Sequence, residues 1–330
     1  MSLSTLKQHI ADKIPGTCYI FHGEESYLRE YYTNQLASCV YPDGADKPVK
    51  LDGKGLTPHD LLDAVEGVSM FGGRKLVIIN DCDIGKPEAR IKDTLENLVV
   101  PDEVTVLFTY SSPEFKPDKR TKSYKSIAAQ AVEVEFKKQT ETDLMPWLKR
   151  RFKAYGKDIS SDDARHLLFT CGNLMTNLCN EVVKIAAYSS GNSITRTDID
   201  TIASPVVETV VFALTDELTA GRYDRAAARL HELQLQREEP IMLLSLLGKQ
   251  LRGLYAAKLC QSIKELMDVM GYKSEYPARK LSDAARRLSI DWCRNAVILV
   301  CEYDRQLKTS TIDKDSALAE LLAKLAMANK

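Results

Sequence analysis

The sequence predicts an α/β domain followed by an all-α remainder. Three observations carry that expectation. Short β-rich runs alternate with helical patterns as far as Lys138, the mark of a parallel sheet. Beyond Lys138 the strand pattern stops and apolar residues recur at helical spacing. The turn after the first strand keeps one glycine of a phosphate-binding loop and little else of it.

Five strands are expected, at Thr17–Phe21, Pro48–Asp52, Lys75–Asn80, Val104–Thr109 and Ala131–Phe136. Most are nearly continuous apolar runs, as strands covered on both faces require. Helices are expected between them, including Ser26–Ser38 and Thr57–Met70. The second of these opens with Thr57 as N-cap, Pro58 at the first helical position and Asp60 in the first turn. Past the sheet, Trp147, Leu148, Phe152 and Tyr155 follow a helical period, and Ser160 or Ser161 suits the next N-cap. Asn173–Ser189 continues the pattern, and Thr195 with Asp198 resembles a capping box. From Val206 onward long helices are expected. One carries a wide apolar stripe of Ile241, Leu244, Leu247, Gly248, Leu251, Leu254 and Tyr255, and Ser316–Met327 closes the chain. The division expected is 1–139, an α/β domain; 140–206, a small helical domain; and 207–330, a larger helical domain.

Composition narrows the function classes. The 45 basic and 46 acidic side chains nearly cancel, so nucleic-acid contact has to come from local patches. Eight cysteines are scattered without a C-x-x-C pair, which speaks against zinc or redox motifs and for reduced, mostly buried thiols. No stretch approaches the ~18 apolar residues that span a bilayer, and no signal-peptide core opens the chain. A cytoplasmic protein without membrane attachment, metal or cofactor is expected. No G-x-S-x-G or H-E-x-x-H motif occurs, and lone histidines such as His22 or His166 suit packing or surface roles better than catalysis.

The phosphate-binding loop is the informative departure. A working loop reads Gly, four residues, then Gly-Lys-Ser/Thr, so that backbone N–H groups and the lysine surround phosphate oxygens. Aligning Gly23 with the first glycine puts Leu28 on the second, Arg29 on the lysine and Glu30 on the metal-binding hydroxyl. Glu24 and Glu25 fall where the anion belongs, and like charges at contact distance repel. Asp81, after the Leu76–Ile79 run, mimics the acid that holds magnesium, but without a phosphate cradle it suits a loop-forming role.

Read together, these segments resemble the delta subunit of the bacterial DNA polymerase III clamp loader. The resemblance rests on Tyr19–Leu28, Ser69–Val77, Glu239–Leu244, Tyr276-Pro277 before a basic run, and Asp304–Lys308 with Leu318–Leu325. It implies an AAA+-like sheet domain with a degenerate phosphate loop, a helical lid and a helical collar, without an ATPase of its own. It also implies partners: the beta sliding clamp, the gamma/tau ATPase subunits, a delta-prime subunit, and primed DNA within the assembly.

The residues permit an independent test of the clamp-binding role. Leu61, Leu62, Val65 and Val68 share a helical sector of roughly 120°. If the helix runs on, Met70 points about 140° and Phe71 about 120° from the centre of that stripe. Two large apolar side chains off the buried face, followed by Gly72-Gly73, suit a peg offered to a partner; the alternative is a helix that ends earlier and folds both residues inward. The resemblance favours the peg, as the family's hydrophobic clamp-binding pair, with Met70 where relatives often carry leucine.

Three basic clusters qualify for DNA contact: Lys116, Lys119, Arg120, Lys122 and Lys125; Lys149, Arg150, Arg151 and Lys153; and Tyr276 with Lys273, Arg279 and Lys280, together with Tyr272. Such patches give sequence-independent affinity for phosphates, and an exposed tyrosine can stack on a base. Acidic neighbours could neutralise any of them. Two alternatives of the same architecture stand beside the main reading: a divergent AAA+ ATPase subunit and a delta-prime-like stator. The lost phosphate loop argues against the first. No zinc-binding cysteine group or Ser-Arg-Cys segment supports the second.

Overall fold

The computed structural model describes residues 2–44, 46–67, 73–309 and 312–328. Two compact units emerge, Met1–Gln139 with Leu174–Thr176, and Thr140–Asn173 with Asn177–Lys330. The expected boundary between 206 and 207 therefore lies inside the second unit.

The first unit runs α1 (Ser2–Asp12), β1 (Cys18–His22), α2 (Ser26–Val40), β2 (Val49–Asp52), α3 (Pro58–Glu66), β3 (Lys75–Asn80), α4 (Ala89–Asn97), β4 (Val104–Thr109), α5 (Lys122–Gln130) and β5 (Ala131–Glu135). Its strands form one five-stranded sheet in the order β2-β3-β4-β1-β5, every adjacent pair parallel. β1 is thus internal, flanked by β4 and β5, with Cys18 opposite both Val106 and Ala131. Side chains alternate across the sheet. Ile20, Val77, Ile79, Val106 and Phe108 pack with Leu61, Ile91 and Ile127 on one face. Tyr19, Phe21, Leu76, Ile78 and Leu107 pack with Leu6 and Leu36 on the other. Burial on both faces is why the strands read as continuous apolar runs. This is the parallel α/β plan expected from the sequence.

The second unit is built from α6 (Glu141–Ala154), α7 (Ser161–Cys171), α8 (Met175–Tyr188), α9 (Arg196–Ile202), α10 (Val207–Thr219), α11 (Tyr223–Leu235), α12 (Pro240–Leu259), α13 (Ile263–Met270), α14 (Glu275–Ala285), α15 (Ile290–Thr309) and α16 (Lys314–Met327). Two short strands interrupt the expected all-helical pattern. β6 (Asp158–Ile159) and β7 (Ser193–Ile194) pair in parallel and tie the ends of α6 and α8 together. Such two-residue strands leave no period to read in a sequence. On α12 the expected stripe is buried at Leu244, Leu247, Gly248, Leu251 and Leu254, while Ile241 and Tyr255 are half-buried. Gly248 permits the close approach of α15, because a Cβ there would stand 3.0 Å from Val300 Cγ1.

Caps follow the sequence closely. Ser160, not Ser161, caps α7, and Thr195 forms the full capping box with Asp198. Thr57 does the same for α3: Asp60 N–H donates to Thr57 Oγ1 at 3.2 Å, and Thr57 N–H donates back to Asp60 Oδ2 at 3.3 Å.

One expectation needs correction. The helix expected to reach Met70 ends at Glu66, with Gly67 as its C-cap. Gly67 leaves helical geometry at ψ 131° while its N–H still donates to Asp63 O at 3.0 Å. A Cβ at Gly67 would stand 2.4 Å from that carbonyl oxygen, so glycine is what lets the chain turn there. Helical phase therefore says nothing about Met70 and Phe71, which lie outside the described residues.

Replacing Thr57 with alanine removes the reciprocal cap, and a loss of about 1 kcal/mol in unfolding free energy is expected. Urea denaturation followed by circular dichroism measures it; an unchanged midpoint would show that the cap does not hold α3.

Candidate functional site

The turn after β1 is folded shut on itself. Gly23 adopts φ +116°, and a Cβ there would lie 2.5 Å from Phe136 O. Glu25 N–H donates to that same carbonyl at 2.9 Å, and Phe136 N–H donates to His22 O at 2.8 Å. The backbone donor at Glu25, which in a phosphate loop would be free for an anion, is spent on the end of β5.

Arg29 takes the place expected from the alignment and points inward. Its guanidinium donates to Gly23 O at 2.9 Å from Nη1 and to Ser111 O at 3.3 Å from Nη2. Its side chain is buried, so a fixed cation fills the turn in place of a bound anion's counter-charge. Leu28 packs against the core beneath α2, Glu24 and Glu30 are exposed, and Glu25 is buried. Burial pushes the Glu25 carboxyl above the usual carboxylate range, against the backbone N–H of Tyr27. Asp81 is fully used as a loop residue. With φ 56° it accepts from Ser111 N–H at 2.7 Å through Oδ1 and from the Ser111 hydroxyl at 2.7 Å through Oδ2.

Beside this turn lies a polar hub that sequence reasoning missed. Glu133 on β5 accepts from Tyr124 OH at 2.7 Å and from Lys119 Nζ at 2.8 and 2.9 Å, and meets His22 Nε2 at 2.9 Å. The His22 bond, helped by Lys119 and Tyr124, holds its carboxyl down at about 2 despite partial burial. Nothing in the sequence links residues 22, 119, 124 and 133; strand pairing and the α5–β5 turn bring them together.

Ion pairs make the first basic cluster less basic than it reads. Lys119 pairs with Glu133, Arg120 with Asp118 and Lys122 with Glu96. In the second cluster Lys149 donates to Ser161 Oγ, Lys153 meets Asp158, and Arg151 lies over Trp147.

The third cluster, on and before α14, divides in two. Lys273 and Arg279 are exposed, the latter paired with Glu275 at 2.6 Å. Tyr276 and Lys280 turn inward. Tyr276 OH accepts from Arg196 Nη2 at 3.0 Å and meets His166 Nδ1 at 3.1 Å. Arg196 can only donate, so His166 Nδ1 is an acceptor, leaving Nε2–H to donate to Asp200 Oδ1 at 2.5 Å. Lys280 Nζ lies 4.8, 5.4 and 5.7 Å from the ring centres of Phe169, Phe212 and Tyr276. Burial lowers its pKa, and burial also raises that of Asp216 nearby. His166, Phe169, Asp200, Phe212, Asp216 and Lys280 border a cavity of about 400 Å³. The ring expected to stand exposed for base stacking is thus half-buried, with its hydroxyl engaged. Tyr276 and His166 are 110 positions apart, so no sequence signal could have paired them.

Among the described residues no group of three or more His, Cys, Asp or Glu side chains is placed to hold a metal. Among the same residues no helix is long and apolar enough to cross a membrane.

Comparison with known proteins bears on both units. Residues 19–137 match the family model for the DNA polymerase III delta subunit, and residues 208–325 match that for its C-terminal domain, together more than half of the chain. The chain belongs to the DNA polymerase III delta-subunit family. As a delta subunit it is one component of the DNA polymerase III complex. The delta subunit of Bacillus subtilis is 23% identical over 325 residues, covering 94% of this chain and 93% of its own. That of Escherichia coli is 23% identical over 249 residues, covering 74% and 71%. Among solved structures, the Bacillus subtilis clamp loader delta protein YqeN aligns over 99% of this chain and 100% of its own, with a TM-score of 0.52 and 18% identity. At that identity the last match speaks for the fold alone.

A stability test follows from the depressed Glu133 carboxyl. Its folded value lies below the ordinary 4.5, so its contribution is present above about pH 4.5 and is lost as pH falls toward about 2. Glu133→Gln is expected to lower stability at pH 7 and to flatten the acid limb of the stability curve. Equal acid limbs for the two proteins would remove Glu133 from the account.

Proposed function

We propose that this delta-subunit family member is the clamp-opening subunit of a clamp loader, binding and opening the beta sliding clamp without hydrolysing ATP itself. The single observation that carries the second half is the closed turn after β1. Arg29 occupies the position from which a lysine would reach phosphate, and its guanidinium is committed to Gly23 O and Ser111 O. Gly23 is pressed on Phe136, and Glu25 is buried in the same turn. A phosphate entering there would have to displace these contacts and meet two glutamates, each a like-charge penalty. That geometry favours a binding subunit over a divergent ATPase.

Clamp binding is assigned to Met70 and Phe71. Side chains of that size, seated in an apolar cleft, each contribute roughly 1.5–3 kcal/mol, enough for an interface hot spot. An open ring interface that binds the pair better than a closed one would be populated at the expense of the closed one, so binding alone can drive opening. In this reading residues 1–139 meet the clamp, 140–206 act as a lid, and 207–330 form the collar that joins the gamma/tau ATPase subunits and delta-prime. Primed DNA is met within the assembly. Of the four residues expected there, exposed Lys273 suits phosphate contact, while Arg279 is paired with Glu275. Tyr276 and Lys280 are assigned to holding α7, α9 and α14 together.

Binding of the purified chain to its own organism's beta clamp, measured beside the Met70→Ala/Phe71→Ala double variant, tests the main claim. Tight binding without ATP, weakened at least 100-fold in the double variant, is expected; the threshold corresponds to about 2.7 kcal/mol. No binding by well-folded wild type would sink the reading. A parallel titration with ATP and magnesium is expected to give no saturable signal, and a saturable one would return the chain to the ATPase class.

A further inference from the structure

The cavity of about 400 Å³ in the second unit draws its lining from α7, α9, α10, α11 and α14. Its size falls within the range of small-molecule sites, roughly 300–1,000 Å³. Apolar side chains such as Phe169, Ile199, Val210 and Phe212 share the lining with charged ones. Sites of that mixed kind hold a ligand's body by burial and fix its orientation through a few polar groups.

Most of the charged lining is already answered by protein. His166 donates to Asp200, and Arg229 Nη1 meets Glu232 Oε2 at 3.2 Å. Lys280 and Asp216 are different. Among the described residues neither side chain makes a hydrogen bond, nor an ion pair within 4.0 Å. Both are half-buried, and each is the opposite charge that acts most strongly on the other. Arg287 and Arg222 act on Asp216 more weakly. The three rings attract the Lys280 ammonium but leave its N–H groups without an oxygen acceptor. Half-buried charges without hydrogen bonds are costly, and a polar group placed between these two would relieve both.

We infer that this cavity binds a small zwitterion with an apolar body, an apolar α-amino acid, its carboxylate on Lys280 and its ammonium on Asp216. The charges favour that class. A simple anion would answer Lys280 but be repelled by Asp216, Asp200 and Glu232. A simple cation would answer Asp216 but be repelled by Lys280 and leave its N–H groups unmet. A molecule carrying both signs answers both groups and leaves the net charge of the site unchanged. Water can solvate the two charges equally well, but it leaves the apolar lining wet; an apolar side chain over Ile199, Val210 and Phe212 gains by removing that surface from water. The inference stands independently of clamp opening.

Ligand-observed NMR titration of the full chain with L-phenylalanine, beside phenylacetate and phenethylamine, tests it. A Kd of about 1 mM or tighter is expected for phenylalanine, and values at least about tenfold weaker for the two analogues that carry one charge. Lys280→Met and Asp216→Asn should each weaken phenylalanine at least about tenfold. Ala203→Leu, which fills part of the cavity and alters neither charge, should weaken it too. Thermal melts without ligand establish that each variant is folded. Should Lys280→Met fail to fold, because its ammonium also serves three rings, Asp216→Asn and Ala203→Leu decide. No saturable phenylalanine signal from folded wild type would overturn the inference. So would an analogue that binds as tightly as phenylalanine, or undiminished binding by the folded variants.

Discussion

The contact between Gly23 and the end of β5 is the constraint on which the first unit depends. β1 is an internal strand between β4 and β5, and its exit must turn sharply to start α2. In a nucleotide-binding relative of this plan the anion helps to hold that turn, because backbone N–H groups converge on it. Here the turn is held by protein alone. Gly23 lies against Phe136, Glu25 N–H is satisfied by Phe136 O, and Arg29 closes over Gly23 O. The Glu25 N–H and the Gly23 carbonyl are thus satisfied by protein groups. Glycine persists at position 23 because both its positive φ and the 2.5 Å approach exclude a side chain.

A parallel sheet has two chemically different ends, and the first unit treats them differently. The carboxyl ends of the strands, where such folds bind ligands in a crevice, are closed by Arg29, by the Asp81–Ser111 bonds and by the Glu133 hub. The amino ends carry the ties from Lys75 to Gly67 and from Arg74 to Pro15. In the proposed reading the sheet has exchanged a ligand crevice at one end for a protein contact in the segment tied to the other. Neither change touches the core layers on its two faces, which is why one scaffold accommodates both.

In the second unit one polar cluster joins three helices. His166, Arg196, Asp200 and Tyr276 link α7, α9 and α14 through directional bonds whose donors and acceptors match. Lys280 adds a cation set among three rings, an arrangement that gains in a partly dry site. Residues that look like a basic patch on paper are thereby committed to holding a helical interface. Lys273 and Arg279 keep their charge at the surface.

Sequence alone determined the features that follow from local periodicity and local geometry. The five strands, the capping residues Thr57 and Thr195, a cap at Ser160 or Ser161, the buried stripe of α12 and the loss of the phosphate-loop pattern were all legible. Each depends on residues within a few positions of one another. The end of α3 was misread because Leu61, Leu62, Val65 and Val68 keep the helical period past the point where Gly67 turns the chain. Only the tertiary structure decided what replaces the phosphate, which cations remain free and whether Tyr276 faces water. Those outcomes depend on Ser111, Phe136, Glu133, His166 and Arg196 arriving from distant parts of the chain. Burial and pairing are properties of the assembled neighbourhood, and a side chain's own identity cannot disclose them.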